Sequence, residues 1–150
     1  MTGKMDKIVR AGNILLPLAG LALVIYYMTC DTDCLYLQGT LLGIDLEVTG
    51  ILFMIALLAL NVPLGDRFGK ARVSLRTVLL ASALGSEVIL VHFQVVNEFY
   101  CPYCVAFGVL VLALCLLNAK FMKPYLALAS FAGGVLLFHF FFQGSIIALF

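Results

Sequence analysis

Five long runs of apolar residues, separated by short segments that carry the charges, dominate the sequence. A helix that crosses a membrane needs about 20 mostly apolar residues, and each run is close to that length. The runs extend over Ala11–Thr29, Leu46–Leu64, Thr77–Val96, Pro102–Ala119 and Tyr125 to about Gly144. The pattern predicts an all-α fold: a polytopic membrane helix bundle of five transmembrane helices, with a four-helix core and a C-terminal fifth helix.

The composition supports lipid as the solvent. Of 150 residues, 64% are hydrophobic and 11% are charged, whereas soluble domains are about half apolar and about a quarter charged. A net charge of +1 gives no basic surface for nucleic acid, so we expect no nucleic-acid partner. The sequence shows no repeat or linker, which predicts a single integral membrane domain over residues 1–150.

The basic residues all fall on one side of the predicted helices. They precede the first helix, connect the second to the third, and connect the fourth to the fifth: Lys4, Lys7 and Arg10; Arg67, Lys70, Arg72 and Arg76; Lys120 and Lys123. By the positive-inside rule this side is cytoplasmic. The N-terminus is therefore expected inside and the C-terminus outside. The first run lacks a small-residue cleavage pattern and is interpreted as a membrane anchor.

Four of the five cysteines lie at the outer ends of the predicted helices: Cys30, Cys34, Cys101 and Cys104. In a bacterial or archaeal cell that side is an oxidising space where disulfides persist. Structural disulfides are one interpretation. However, the stabilisation from a disulfide grows with the logarithm of loop length, so rings this small suit redox switching better. Cys115 lies about 16 Å deeper than Cys104 along the helix and is interpreted as a small buried side chain.

The most specific local signal is the segment Cys101, Pro102, Tyr103, Cys104. At a helix N-terminus the partial positive charge of the unpaired N–H groups favours the thiolate of a Cys-x-x-Cys pair. Pro102 suits the first helical position, where its missing N–H has no helical partner. Since the thiolate is the species that attacks a disulfide, the motif predicts a redox-active pair at the outer mouth of the fourth helix.

A family resemblance rests on this motif and its surroundings. A loop cysteine pair follows helix one, Leu42–Ile44 lead into helix two with Gly50 after them, and Tyr100–Cys104 open helix four. In these features most of the chain resembles the bacterial branch of the vitamin K epoxide reductase family. Members are membrane thiol oxidoreductases that form disulfides in exported proteins and reduce quinones. The disulfide bond formation protein B family also has two outward cysteine pairs, but its Cys-x-x-Cys lies in the first outer loop.

The resemblance implies a role for each outer cysteine. Cys30 would exchange with a thiol partner, Cys34 would carry the electrons to Cys101, and Cys104 would face the quinone, which is ubiquinone or menaquinone. The implied partner is a separate thioredoxin-like protein on the outer side, because no fused thioredoxin domain is expected here. The implied location is the bacterial or archaeal cytoplasmic (inner) membrane, with the active site on the periplasmic or extracellular side. The sequence departs from the family in its short loop-cysteine spacing.

A quinone pocket is predicted around the outer part of helix four. Phe99, Tyr103 and Phe107 are candidates for its apolar walls, and Gly108, one turn below Cys104, would leave room for a flat ring. His92 in helix three is a candidate donor to a quinone oxygen. Ordinary helix packing is the alternative interpretation for each of these residues.

Two further interpretations concern acidic residues. Glu87 lies near the middle of helix three, where ionisable groups are functional candidates by default; the alternative is a protonated carboxyl with an interior hydrogen bond. A different class of function is a cysteine-ligated metal-binding or transport membrane protein, with the four thiols, Asp31 and Asp33 as ligands. The redox interpretation, which we prefer, requires no metal.

Overall fold

The computed structural model of the chain describes residues 2–29, 37–61, 69–98 and 100–146. The described part is mainly helical. Its helices are α1 (Thr2–Thr29), α2 (Leu46–Ala59), α3 (Gly69–Val96), α4 (Pro102–Asn118) and α5 (Pro124–Phe141), and a 3-10 turn at Ala119–Phe121 extends α4. Three strands complete the fold: β1 (Leu37–Leu41), β2 (Ile44–Asp45) and β3 (Phe142–Ile146). The predicted helix bundle is therefore confirmed in its main feature.

Four helices of the described residues are long and apolar enough to cross a membrane: Lys7–Thr29 within α1, Gly69–Val96, Pro102–Phe121 and Pro124–Phe141. They correspond to the predicted first, third, fourth and fifth runs and support a multi-pass membrane protein.

The second predicted run is shorter in the structure. Helix α2 has 14 residues and rises only about 21 Å at 1.5 Å per residue, against a hydrocarbon core of about 30 Å. Leu60 and Asn61 form a turn after it, and residues 62–68, which include the end of the predicted run, lie outside the described part. Four of the five predicted runs thus form helices of membrane-spanning length and apolar composition.

A small antiparallel sheet was not expected from the all-α prediction. Its strand order is β2-β1-β3, and β1 pairs with β3 in the register Leu37↔Ile146 through Leu41↔Phe142. The last predicted helix is wrong at its end, because α5 stops at Phe141 and the chain continues as β3. The sheet gives the backbone of β3 hydrogen-bond partners in β1 that an unpaired strand would lack.

Glycine is required at the centre of this sheet. Gly39 and Gly144 lie opposite each other, and an aromatic ring occupies the space beside each. A Cβ on Gly39 would lie 2.6 Å from the Phe142 ring, and one on Gly144 would lie 2.5 Å from the Phe93 ring. The sheet is thereby packed against the C-terminal end of α3 through Phe93.

Close helix packing surrounds the centre of the bundle. A Cβ on Gly85 of α3 would collide with the Phe131 carbonyl oxygen, and a Cβ on Gly134 of α5 with the Ser82 carbonyl oxygen. Small residues allow such close approach of membrane helices. The interior of α2, α3 and α4 is filled by a buried cluster of apolar side chains: Met54, Leu57, Leu80, Val111, Leu114 and Cys115.

A polar network joins the helices at one end of the bundle. The buried Asn13 and Asn118 side chains exchange two hydrogen bonds, of 3.1 and 2.7 Å. Asn61 donates to the Asn13 carbonyl oxygen at 2.6 Å, and the Arg76 guanidinium donates to the Asn61 side chain at 2.6 Å. The start of α1, the end of α2, the start of α3 and the end of α4 therefore meet here. The start of α1, the start of α3 and the end of α4 carry basic residues.

The opposite end of the bundle holds the sheet and the start of α4. The end of α1 reaches it, because the Tyr26 and Tyr27 rings lie 5.9 and 5.5 Å from the Tyr103 ring. The end of α3 reaches it through Phe93, whose ring meets that of Phe142 edge-on at 5.4 Å. The Cys-x-x-Cys segment and the basic helix ends thus lie at opposite ends of the bundle, as the sequence predicts.

Candidate functional site

Cys101 and Cys104 occupy the first turn of α4. Cys101 is the N-cap residue, with an extended backbone, and its Sγ accepts a hydrogen bond of 3.4 Å from the Cys104 backbone N–H. Pro102 is the first helical residue, as the missing N–H of proline favours. The predicted placement of the motif at a helix N-terminus is confirmed. Cys101 is buried, with 4% of its surface exposed, and Cys104 is partly buried.

The surroundings of Cys101 favour its thiolate. A hydrogen bond from the Cys104 side chain is the largest influence and, with backbone N–H groups of Cys104 and Tyr103, lowers the pKa of Cys101 to about 6, although burial and the Glu47 carboxylate act in the opposite direction. Cys101 therefore carries mainly thiolate at neutral pH. This is the ionisation state that nucleophilic thiol exchange requires.

Gln94 fixes the backbone of Cys101. Its side-chain oxygen accepts a hydrogen bond of 2.8 Å from the Cys101 N–H, and its amide group donates to the Leu90 carbonyl oxygen at 3.4 Å. Only 2% of Gln94 is exposed. Sequence reasoning missed this residue; the available signal was a polar side chain near the end of an otherwise apolar helix, which must find a partner when buried.

A cavity of about 250 Å³ lies beside Cys104, within the half of the bundle that holds the sheet. Every helix contributes to its walls, which are mostly apolar: Val24 and Tyr27 of α1, Gly50 and Phe53 of α2, Leu90 of α3, Tyr103 and Phe107 of α4, and Leu137 and Phe138 of α5. Leu41 of β1 also lines it. The cavity is therefore lined by residues that are far apart in the sequence.

A few polar groups interrupt the apolar wall, among them Cys104, Glu47, Ser86 and Glu87. The Ser86 hydroxyl donates to the Ser82 carbonyl oxygen at 3.0 Å, so its own oxygen can accept a hydrogen bond. Glu87 has 9% of its surface exposed, and no group of the described residues hydrogen-bonds to its carboxyl. Such a sparse set of polar groups in an apolar cavity is typical of a small-molecule site.

The predicted quinone-pocket residues that the structure describes divide into three groups. Tyr103 and Phe107 line the cavity, as does Cys104. Gly108 instead faces Glu87, because a Cβ on Gly108 would lie 2.9 Å from Glu87 Oε2. His92 is exposed on α3, outside the cavity wall.

The remaining predicted residues lie outside the described part of the chain: Phe99, Cys30 and Cys34, together with the alternative metal ligands Asp31 and Asp33. Among the described residues, no group of three or more His, Cys, Asp or Glu side chains gathers as a metal site. Sequence reasoning did not identify Glu47, Ser86 or Tyr27 as cavity residues, since each belongs to a different helix from the Cys-x-x-Cys motif.

No protein-family model matches the sequence, and no curated protein matches it either.

Proposed function

We propose that the protein is a membrane thiol:quinone oxidoreductase that takes electrons from a thiol protein and delivers them to ubiquinone or menaquinone. The observation that carries this proposal is the position of Cys104. It belongs to a Cys-x-x-Cys pair with a favoured thiolate and at the same time lines a mostly apolar cavity inside a bundle of membrane-length helices. A dithiol that borders a mostly apolar cavity among membrane-length helices is suited to a lipid-soluble electron acceptor.

The cavity suits a flat, apolar ring. An engineered cavity of roughly 150 Å³ in another protein is enough to bind benzene, and the cavity beside Cys104 has about 250 Å³. Tyr103 and Phe107 supply aromatic walls, and the Phe107 ring lies 6.4 Å from that of Phe53. A substituted quinone ring would therefore have both space and apolar contact next to the Cys104 sulfur.

The electron route begins in the segment that follows α1. Cys30 directly follows Thr29, the last residue of α1, and the Tyr27 ring lies 5.5 Å from the Tyr103 ring. The loop thus leaves α1 beside the Cys-x-x-Cys segment. In the proposed route Cys30 exchanges with the partner, Cys34 passes the electrons to Cys101, and Cys104 faces the quinone. This route is the one implied by the resemblance to the vitamin K epoxide reductase family.

The proposed orientation follows from the charges. The basic helix ends lie opposite the cysteine pair, so the positive-inside rule puts the cysteines outside and the N-terminus inside. Five crossings from an N-terminus inside would leave the C-terminus outside. The partner is then a separate thioredoxin-like protein on the periplasmic or extracellular side of a bacterial or archaeal inner membrane.

Quinone reduction by the purified protein tests this proposal. Reduced thioredoxin-like protein and a water-soluble ubiquinone or menaquinone analogue are supplied, and quinol formation is followed by absorbance. We expect activity that is lost when any of Cys30, Cys34, Cys101 or Cys104 is replaced by serine. Cys115→Ala is the matched control, because Cys115 Sγ donates to the Leu80 carbonyl oxygen at 3.4 Å and lies outside the cavity wall. Full activity in Cys101→Ser would overturn the redox function.

A further inference from the structure

Glu87 is a buried acid without a protein partner in the described structure. It lies in α3 with 9% of its surface exposed, and it lines the same cavity as Cys104. Gly108 of α4 leaves space for it, since a Cβ there would approach Glu87 Oε2 to 2.9 Å. The absence of a side chain at position 108 allows the carboxyl to lie against α4, one turn deeper than Cys104.

A buried acid in this position is costly in its ionised form. Burying an ionised carboxylate in an apolar medium costs far more than burying the neutral acid, and ionisable groups within membrane helices are functional candidates. The other ionisable groups that face the cavity are Glu47 of α2, Tyr27 of α1, and Tyr103 and Cys104 of α4. Among the described residues, no basic side chain lines the cavity, so none of them forms an ion pair with Glu87 there.

Quinone reduction needs one more proton than the cysteine pair holds. Forming a disulfide from Cys101 and Cys104 releases two electrons, and a quinone that accepts both must also take up two protons to become a quinol. Cys101 as thiolate brings no proton, and Cys104 as thiol brings one. A second proton donor must therefore serve the quinone inside a cavity whose walls are mostly apolar.

We propose that the Glu87 carboxyl group is the catalytic residue that delivers this second proton to the quinone. The inference rests on the proposed thiol:quinone oxidoreductase function and adds a residue to its site. Its basis is geometric: Glu87 and Cys104 line one cavity from two adjacent helices, and the described structure offers the carboxyl no competing partner.

The step balances in atoms and charge. The Cys101 thiolate, the Cys104 thiol, the Glu87 carboxylic acid and the quinone give the Cys101–Cys104 disulfide, the quinol and the Glu87 carboxylate. The sulfur–sulfur bond forms as the sulfur–hydrogen bond of Cys104 breaks, and the quinone gains two electrons and two protons. When a partner dithiol later reduces the disulfide to one thiol and one thiolate, the partner's second proton is released and restores the acid. Glu47, in the first turn of α2, lies on the outer side of the cavity, where that proton would enter.

The test separates proton delivery from thiol chemistry. Wild-type protein, Glu87→Gln and Glu87→Asp are each reduced completely, freed of reductant and mixed with a soluble quinone analogue, and quinol formation is followed in a single turnover. In a second assay the oxidised protein is reduced by a dithiol without quinone. Glu98→Gln is the matched control, because Glu98 is an exposed carboxyl in the turn after α3 and does not line the cavity.

We expect Glu87→Gln to slow quinol formation by about 100-fold or more, as loss of a general acid does, and to reduce its disulfide at a rate within about twofold of wild type. Glu87→Asp, which keeps the acid, should retain an intermediate rate. The wild-type step should slow in deuterated water, and this isotope effect should be lost in Glu87→Gln, where proton uptake follows a different route.

The outcomes distinguish the two proposals. If wild-type protein forms no quinol, the proposed function fails. If wild-type protein is active and Glu87→Gln is equally fast with an unchanged isotope effect, the function stands and the role of Glu87 is overturned. Should Glu87→Gln not fold, Gly108→Ala takes its place, because the added methyl group displaces the carboxyl without changing its chemistry. Unimpaired quinol formation in folded Gly108→Ala would likewise overturn the role of Glu87.

Discussion

The ionisation of Cys101 is expected to depend on Cys104, and this can be measured directly. The hydrogen bond from the Cys104 side chain is the main reason that the pKa of Cys101 falls to about 6. Cys104→Ala removes this bond but keeps the backbone N–H donors and the position at the N-terminus of α4. We therefore expect the pKa of Cys101 to rise in the variant without reaching the ordinary value of a cysteine thiol.

The size of the rise follows from the strength of the lost bond. A hydrogen bond to a charged group contributes about 1.5–3 kcal/mol, which corresponds to about 1–2 pH units. The midpoint should thus move from about 6 to about 7–8. The thiolate of a less acidic thiol is also more nucleophilic, with a Brønsted coefficient of about 0.4–0.5. At pH 6 the variant should react about two- to sixfold more slowly, and above pH 9 about three- to eightfold faster.

The assay is the rate of alkylation of Cys101 by iodoacetamide between pH 4.5 and about 10. Both proteins carry Cys30→Ser, Cys34→Ser and Cys115→Ala. The remaining cysteines are then Cys101 and Cys104 in one protein and Cys101 in the Cys104→Ala variant, and mass mapping identifies the modified sulfur. Two profiles that cross near neutral pH are expected. Coincident midpoints in the two proteins, or a midpoint near 8.5 in the protein that retains Cys104, would refute this account of the thiolate.

Two further predictions concern topology and stability. A tag at the C-terminus should be accessible from outside the cell and a tag inserted at residues 65–68 only from inside; if both tags report one side, the fifth crossing is absent. Asn118→Leu should destabilise the protein by about 1–2 kcal/mol, because it leaves the Asn13 amide buried without its partner. Unfolding in detergent measures this loss. The double variant with Asn13→Leu should recover part of it, and equal stability of the single and double variants would contradict a paired network.

The helices were predictable from the sequence because lipid imposes a simple length rule on apolar runs. The sheet was not, since β1 and β3 are separated by about a hundred residues and apolar periodicity cannot distinguish a short strand from the end of a membrane helix. One signal was present. Leu37–Leu41 and Phe142–Ile146 share Gln-Gly followed by Thr or Ser, and aromatic rings cover the two facing glycines, a known device that stabilises glycine in strands.

The candidate site was predictable where its residues are close in sequence. Tyr103, Cys104 and Phe107 belong to one helix, so helical spacing was enough to group them. Glu47 and Phe138 reach the cavity from other helices, and their approach depends on helix packing that periodicity does not specify. Gly108 shows the same limit: its small size was recognised as space for a ligand, but which neighbour uses that space depends on the facing helix.

The hydrogen bond between Gln94 and Cys101 has a consequence for how such a protein can change over time. Gln94 and Glu87 are seven residues apart on α3, two helical turns of the same face, so one rigid helix positions both the backbone of the dithiol and the buried acid. Both arrangements are contacts between residues of α3 and residues of α4 or its N-cap. Under the proposed function, substitutions, insertions or deletions in the segment that carries Cys30 and Cys34 would alter the choice of protein partner while these contacts of α3 and α4 are kept, so that the two specificities would diversify independently.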